Sequence, residues 1–330
     1  MLIGIVHTAG SPCGCAEALA GGLHALDHEA LIVDSEEILL RAEELARRCD
    51  LVVDHTDTFL GWGVLRPFVR WELERFGARV AGTSARSCFL ADDKIAAKGI
   101  LNAAGIPTPP GAAVNTAAMV LPPWLTPPLI LKPACEHMSR GVVMVTTREE
   151  AREVMGALLL RYRQPVLVET YIPGRELAIS LLDGPEGLRV LPIIEWLTDW
   201  EDNNDVILTE AFKLRDNGAD RGDMRRLLLP SDRLQELESL ARKAFRSLGL
   251  RDYGRFDVRL AADGRCYFLE ANTTPSLENA EALAQSARWA GMDYPSLVAK
   301  ILAAVRRRCD RERRQNRIGP VGGKRGLFSR

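Results

Sequence analysis

The chain has 330 residues, enough for two or three packed units around a shared site and too many for one small core. Its 43 Lys and Arg almost balance 44 Asp and Glu, so the molecule as a whole lacks the electrostatic signature of a nucleic-acid or membrane-surface protein. No run of about 18 apolar residues occurs, which excludes a transmembrane helix, and seven irregularly spaced cysteines argue against a disulfide framework and for a reducing cytoplasm.

Met1–Val6 is apolar but short, with no basic stretch or cleavage site, and reads as a first strand over Leu2–His7 instead of a signal peptide. The pattern then predicts a helix over Ala16–Leu26, a strand over Ala30–Val33, a helix capped by Ser35 that runs to about Arg48, and a strand over Leu51–Asp54. A helix near Leu65–Phe76 and a short strand over Arg79–Ala81 complete an alternation that implies a parallel sheet with helices on both faces. Asp92 or Asp93 opens the next helix, which ends at Gly105, and a proline-rich connector from Thr108 to Pro128 marks a boundary. Strands over Leu129–Leu131 and Gly141–Val145, a helix over Arg148–Arg161 and a strand over Val166–Glu169 follow. Further strands are predicted over Leu177–Leu182 and Leu188–Glu195, then a long polar loop to about Arg225. Ser231 caps a helix whose stripe of Leu234, Leu237, Ala241, Phe245 and Leu248 faces a core and which Gly249 stops. Residues 306–330, arginine-rich and then glycine-rich, read as a frayed helix end and a basic, disordered tail.

Three segments carry chemistry. In the first, Asp263-Gly264 turns a hairpin between Arg255-Phe256-Asp257 and Leu269-Glu270-Ala271-Asn272. Alternate strand residues share a face, so Arg255, Asp257, Glu270 and Asn272 converge; two carboxylates and an amide oxygen suit magnesium held together with phosphates. In the second, Lys94 opens a helix and Lys132 ends an apolar strand beside a loop with Ser139 and Gly141, where both could reach a phosphate. In the third, the strand Val166–Glu169 enters a Pro173-Gly174 turn with Glu169 before it and Glu176 after it, a hinge able to face a flat purine. Singly, either lysine is weak evidence, and the third segment reads better as an ordinary strand–turn–strand with exposed acids.

Their order and spacing resemble the ATP-grasp superfamily, and within it the D-alanine–D-alanine ligase family, over residues 79–303. The landmarks are Ala81-Gly82-Thr83-Ser84, Asp92-Asp93-Lys94, Ile130-Leu131-Lys132-Pro133, Val168-Glu169 with Gly174 and Glu176, Gly254-Arg255-Phe256-Asp257-Val258, and Leu269-Glu270-Ala271-Asn272-Thr273-Thr274-Pro275. The resemblance implies an α/β (α+β) ATP-grasp fold: an N-terminal parallel-sheet domain over 1–90 on the substrate side, a central subdomain over 91–170, a catalytic subdomain over 171–305, and ATP clamped between the last two. It implies that Lys94 and Lys132 bind the ATP phosphates, that Glu169, Tyr171 and Ile172 hold adenine and Glu176 the ribose, and that Ser139 and Leu269 complete the ATP site. Asp257, Glu270 and Asn272 would bind magnesium, or manganese in its place; Arg255 would stabilise the oxyanion as an amine attacks; Lys213, in the polar loop, would close over the terminal phosphate. The partners implied are a small-molecule carboxylate and amine, with no membrane or nucleic acid; a homodimer is allowed.

The substrate contacts depart from the family pattern. The segment that holds the family's ammonium-binding glutamate reads Thr8–Glu17 here, with Glu17 as its one acid; Met138 stands where the family has a serine, Leu214 where it has a tyrosine, and Glu281-Ala282 where it has Ser-Leu. Asp54, Asp57 and His137 are further candidates for substrate contact. Cys13-Gly14-Cys15 is too closely spaced for the usual zinc knuckle. The sequence therefore predicts intact ATP machinery serving a specialised carboxylate–amine ligase. The alternatives are a cell-wall D-alanine–D-alanine ligase and an ATP-binding protein without turnover.

Overall fold

In the computed structural model, which describes residues 1–197 and 223–317, the apolar runs become three sheets. The first is parallel and contains β1 (Leu2–His7), β2 (Glu29–Asp34), β3 (Leu51–His55) and β4 (Val80–Ala81) in the order β2-β1-β3-β4. Its strands alternate between two cores. Ile3, Ile5 and Val53 pack with Leu19 and Leu23 of α1 (Cys15–His24), whereas Val6 and Val52 pack with Leu45 of α2 (Ile38–Arg48) and Leu73 of α3 (Arg66–Arg75). Burial on both faces explains why β1 and β3 read as continuous apolar runs, whereas β2 at the edge is mostly exposed. Ser35 does not cap α2: Asp34 accepts the Glu36 N–H and heads a single 3₁₀ turn, while Ser35 is buried with its hydroxyl toward Thr8 and the Thr58 carbonyl.

The second sheet is antiparallel, with β5 (Gly111–Val114), β6 (Leu129–Pro133), β7 (Val143–Val145) and β8 (Val166–Thr170) in the order β5-β8-β6-β7. The supposed connector thus contains a strand. Gly111 lets β5 approach β8, since a Cβ there would lie 2.8 Å from the Val168 carbonyl oxygen. Between the first two sheets lie α4 (Ala85–Ala91), a helix the sequence pattern did not indicate, which Ser84 caps, and α5 (Lys94–Ala103), which Asp93 caps through the N–H groups of Ile95 and Ala96. Helix α6 (Arg148–Tyr162) covers the second sheet.

The third sheet comprises β9 (Arg175–Gly184), β10 (Gly187–Val190), β11 (Ile194–Leu197), β12 (Asp223–Arg226), β13 (Tyr253–Leu260) and β14 (Cys266–Asn272), ordered β12-β11-β9-β13-β14 with β10 also on β9. The strand expected over 188–195 is two strands, because Pro192 has no N–H to continue a ladder. Helix α7 (Ser231–Ser247) buries Leu237, Ala241 and Phe245 against this sheet; Pro230, not Ser231, occupies its cap position, and Gly249 ends it at φ +66°.

The described part closes with α8 (Ala282–Trp289) and α9 (Tyr294–Arg317). The frayed tail expected from residue 306 is instead helix to Arg317, and residues 318–330 lie outside the described part. Arg308 is buried: its Nε and Nη2 donate to Asp252 at 3.0 and 2.9 Å, and Nη2 also reaches the Val80 carbonyl at 2.7 Å. Asp252 in turn accepts the Gly82 N–H at 2.9 Å, so one buried carboxylate ties the last helix to the edge of the first sheet.

Candidate active site

The floor of the site is the β13–β14 hairpin. Its register pairs Arg255 with Asn272 and Asp257 with Glu270, and a bulge follows Asp257. Arg255 clasps Asp257 with two bonds, Nε to Oδ1 at 2.7 Å and Nη2 to Oδ2 at 3.1 Å. Burial opposes the guanidinium charge, and Asp257 outweighs it, so Arg255 stays a cation. Asn272 donates Nδ2 to Asp257 at 3.0 Å, which leaves its amide oxygen as a ligand atom. Glu270 lies 3.6 Å from the Lys94 ammonium. The donor set of Asp257, Glu270 and Asn272 is all oxygen with two negative charges, which fits a hard divalent cation held with phosphates.

A cleft of about 740 Å³ opens between the second and third sheets and ends on Asp257 and Glu270. It is lined by every residue expected around ATP within the described part: the lysines Lys94 and Lys132, Ser139 of the loop, Glu169, Tyr171 and Ile172 of the hinge, and Glu176 with Leu269. Lys94 is the first residue of α5, and its ammonium also donates to the Glu136 carbonyl. Lys132 on β6 and Glu169 on β8 are diagonal neighbours in the antiparallel ladder, because Ile130 pairs with Glu169; their side chains form a buried ion pair. The other Glu169 oxygen lies 2.7 Å from the Lys98 ammonium. Lys98 was not among the expected residues, although its place one turn after Lys94 on the same helix face is a usable signal. Burial pushes the Lys98 ammonium down to about 8, against the pull of Glu169. Burial also opposes the Glu169 charge, but Lys132 and Lys98 prevail and hold this carboxyl below its ordinary range.

The hinge after β8 depends on Gly174, whose φ is +147° and where a Cβ would fall 2.2 Å from the Leu260 carbonyl oxygen. The Gly174 carbonyl accepts Arg259 Nη1 at 2.9 Å, and Arg259 Nη2 pairs with Glu176 at 3.0 Å. Arg259 shares the Arg255–Asp257 face at the next alternate position and is a second residue that pattern reading missed. In the loop over the cleft, Met138 and Ser139 both have positive φ, +56° and +60°, a conformation that costs non-glycine residues of order 1–3 kcal/mol each.

A second cleft, about 1260 Å³, adjoins the first and shares Glu176, Asp257 and Glu270 with it. Asp57, His137, Glu281 and Arg255 line it, together with Arg66, which no motif singled out. Asp57 accepts the Ser11 hydroxyl. His137 is half-buried, and desolvation, then Arg66, Lys94 and Arg140, push it well below the ordinary imidazole range, so it is neutral. Arg66 is anchored by Thr273, Thr274 and Asp92. Two proposed substrate contacts are elsewhere. Glu17 is exposed in the first turn of α1 and lines neither cleft. Asp54 is buried 3.1 Å from Arg70 and also accepts the Thr56 hydroxyl at 2.7 Å; its charge serves the fold. Lys213 and Leu214 fall outside the described residues.

Comparison with known proteins agrees with this geometry. Residues 100–303 match the family described as D-ala D-ala ligase C-terminus. A D-alanine–D-alanine ligase from Marinomonas sp. is 32% identical over 235 residues, 69% of this chain and 70% of the relative. One from Thermotoga maritima is 30% identical over 295 residues, 88% of this chain and 90% of the relative. The crystal structure of the D-alanine–D-alanine ligase from Bacillus anthracis complexed with ATP superposes with a TM-score of 0.76 at 22% identity, covering 94% of this chain and 99% of that one. The clefts thus lie in an ATP-grasp fold, and the chain belongs to the D-alanine–D-alanine ligase family of ATP-dependent ligases that form carbon–nitrogen bonds.

Proposed function

We propose that this ligase activates an amino-acid-like carboxylate as an acyl phosphate, joins it to an amine, releases ADP and phosphate, and uses substrates other than D-alanine. The observation that carries this reading is the contrast between the two clefts. The nucleotide side keeps Lys94, Lys132, Glu169 and Glu176 around an intact floor, whereas the wall of the second cleft presents Cys13, His55, Asp57, Met138 and Glu281.

A carboxylate cannot expel oxide, so it needs a phosphoryl group as a better leaving group. Lys94 and Lys132 are positioned to hold the phosphates that supply it, and Arg255 to stabilise the oxygen that gains negative charge as the amine attacks. Magnesium at Asp257, Glu270 and Asn272 would neutralise the phosphate charge during transfer. The apolar hinge and the loop at 137–141 limit water at the acyl phosphate. A carboxylate at Glu281 repels an acceptor carboxylate and favours an acceptor ammonium. With Glu17 outside the cleft and methionine at position 138, a donor α-ammonium lacks the partners the family provides, which makes D-alanine a poor donor.

The second reading, a D-alanine–D-alanine ligase of cell-wall synthesis, draws on the names of the relatives. One assay separates the two. Nucleotide release is measured with millimolar D-alanine alone and with a panel of carboxylate–amine pairs, with hydroxylamine present to trap the activated acid as a hydroxamate. ADP release with another pair and little with D-alanine is the expected result. Efficient formation of D-alanyl-D-alanine refutes the specialised reading, and AMP in place of ADP refutes the acyl-phosphate route.

A further inference from the structure

We infer that Cys13, Cys15 and His55 form a site for a thiophilic divalent cation, zinc foremost, in the wall of the second cleft. The two sulfurs and an imidazole nitrogen of His55 all lie within 4.8 Å of one another. Cys13 and Cys15 flank Gly14, the residue that precedes α1, and His55 ends the adjacent strand β3. The spacing of the cysteines is short for a metal knuckle read from sequence; the fold adds a third donor from 40 residues further along the chain.

The surroundings of each donor favour a metal. His55 Nε2 faces the Pro275 carbonyl at 3.2 Å; a carbonyl only accepts, so Nε2 carries a hydrogen and Nδ1 is the nitrogen left to bind a metal. That Nδ1 is buried and has no hydrogen-bond partner. A ring nitrogen fixed by a carbonyl, with the other left bare, is the usual arrangement of a metal-binding histidine. Cys15 Sγ accepts the Leu277 N–H at 3.3 Å and lies 3.4 Å from the Ser276 hydroxyl, contacts that stabilise a thiolate. The sulfurs stand 2.6 Å apart. Zinc–sulfur bonds of about 2.3 Å at tetrahedral angles need roughly 3.8 Å between them, a spread that rotation of the half-buried Cys13 side chain supplies. A disulfide would satisfy the sulfurs but leave the buried imidazole nitrogen bare. Cys13 and His55 both line the cleft, so the fourth position opens toward it, near Asp57. The site is independent of the ligase reading, and its soft donors separate it from the all-oxygen set at Asp257, Glu270 and Asn272.

The test uses the full chain, reduced, stripped with a chelator, desalted and titrated with cobalt(II). One equivalent is expected to give a thiolate-to-cobalt charge-transfer band in the near ultraviolet and strong d–d bands in the red. Zinc should abolish both bands, and magnesium with ATP neither, since the oxygen site has no sulfur. Cys13→Ser and His55→Gln should each weaken cobalt binding at least about tenfold; Cys49→Ser, on the other side of the sheet, should not. The melting temperature of Cys13→Ser shows that the fold survives. The proposal is overturned if the reduced protein gives no sulfur band, or if the band persists in both Cys13→Ser and His55→Gln.

Discussion

Lys98 reaches Glu169 from helix α5, 2.7 Å from one carboxylate oxygen, while Lys132 takes the other. Two ammonium groups therefore share one buried carboxylate in the wall of the first cleft. Glu169→Gln leaves both lysines without a counter-charge and is expected to destabilise the fold by about 3–5 kcal/mol, read as a fall in the urea midpoint. Adding Lys98→Met should recover part of that loss, because the pair no longer has to bury a second cation. Additive losses in the double variant would show that the two residues are not coupled.

The same lysine predicts a pH dependence. Its folded value, about 8, lies below the ordinary 10.5. Across that window the unfolded chain binds the extra proton, so this group makes the fold gain stability as pH rises from about 8 toward 10.5, and costs stability below it. Wild type minus Lys98→Met, measured by urea unfolding from neutral pH to about 10.5, should show that upward slope. A flat or falling difference would mean Lys98 is not desolvated.

On the floor, Arg255→Met should lower kcat by about 100–1,000-fold, the usual effect of removing a group that meets developing negative charge. Glu270→Gln should lower turnover by at least about 100-fold with the melting temperature held, since an amide cannot carry the charge of a bridging carboxylate. Near-normal turnover in Glu270→Gln would remove the metal assignment.

Gly174→Ala is expected to cost more than about 1–3 kcal/mol, because it combines an unfavourable φ with a backbone clash at Leu260. The carbonyl that holds Arg259 would move too, so the variant should also raise the KM for ATP. A variant with unchanged stability would mean the turn can rearrange freely.

Arg308→Met should destabilise by about 3–5 kcal/mol, as it leaves buried Asp252 unpaired. Arg311, mostly exposed and 3.6 Å from Asp183, serves as the contrast: Arg311→Met should stay within about 0.5 kcal/mol of wild type.

These residues differ in how readily the sequence discloses them. Arg255, Asp257, Glu270 and Asn272 are legible because period-two alternation and one Asp-Gly turn fix their common face. Lys98 and Arg259 share a face with legible residues but take their meaning from Glu169 and Glu176 on other strands, and Arg308, 56 residues from Asp252, is not legible at all. A run of arginines looks solvated until a buried carboxylate is placed beneath it. Strand β5 is hidden for a local reason: it follows Pro109 and Pro110, its Gly111 and two alanines have weak strand propensity, and only the ladder with β8 makes Gly111–Val114 a strand. The thiol–imidazole cluster is half legible, since the cysteines are two residues apart in the sequence and the histidine is brought by the sheet.

The core that joins Ile3, Ile5 and Val53 to Val298, Ile301 and Val305 has a consequence for how the protein is made. The opening sheet leaves the ribosome with one greasy face that its own neighbouring helix only partly shields. The rest of its cover is synthesised only after both later sheets, on the order of tens of seconds later at ordinary translation rates. Until then the nascent chain carries an unfinished surface that invites chaperones or aggregation. A premature stop shortly before residue 297 would yield a polypeptide that possesses the β13–β14 hairpin yet leaves the core under β1 and β3 uncovered.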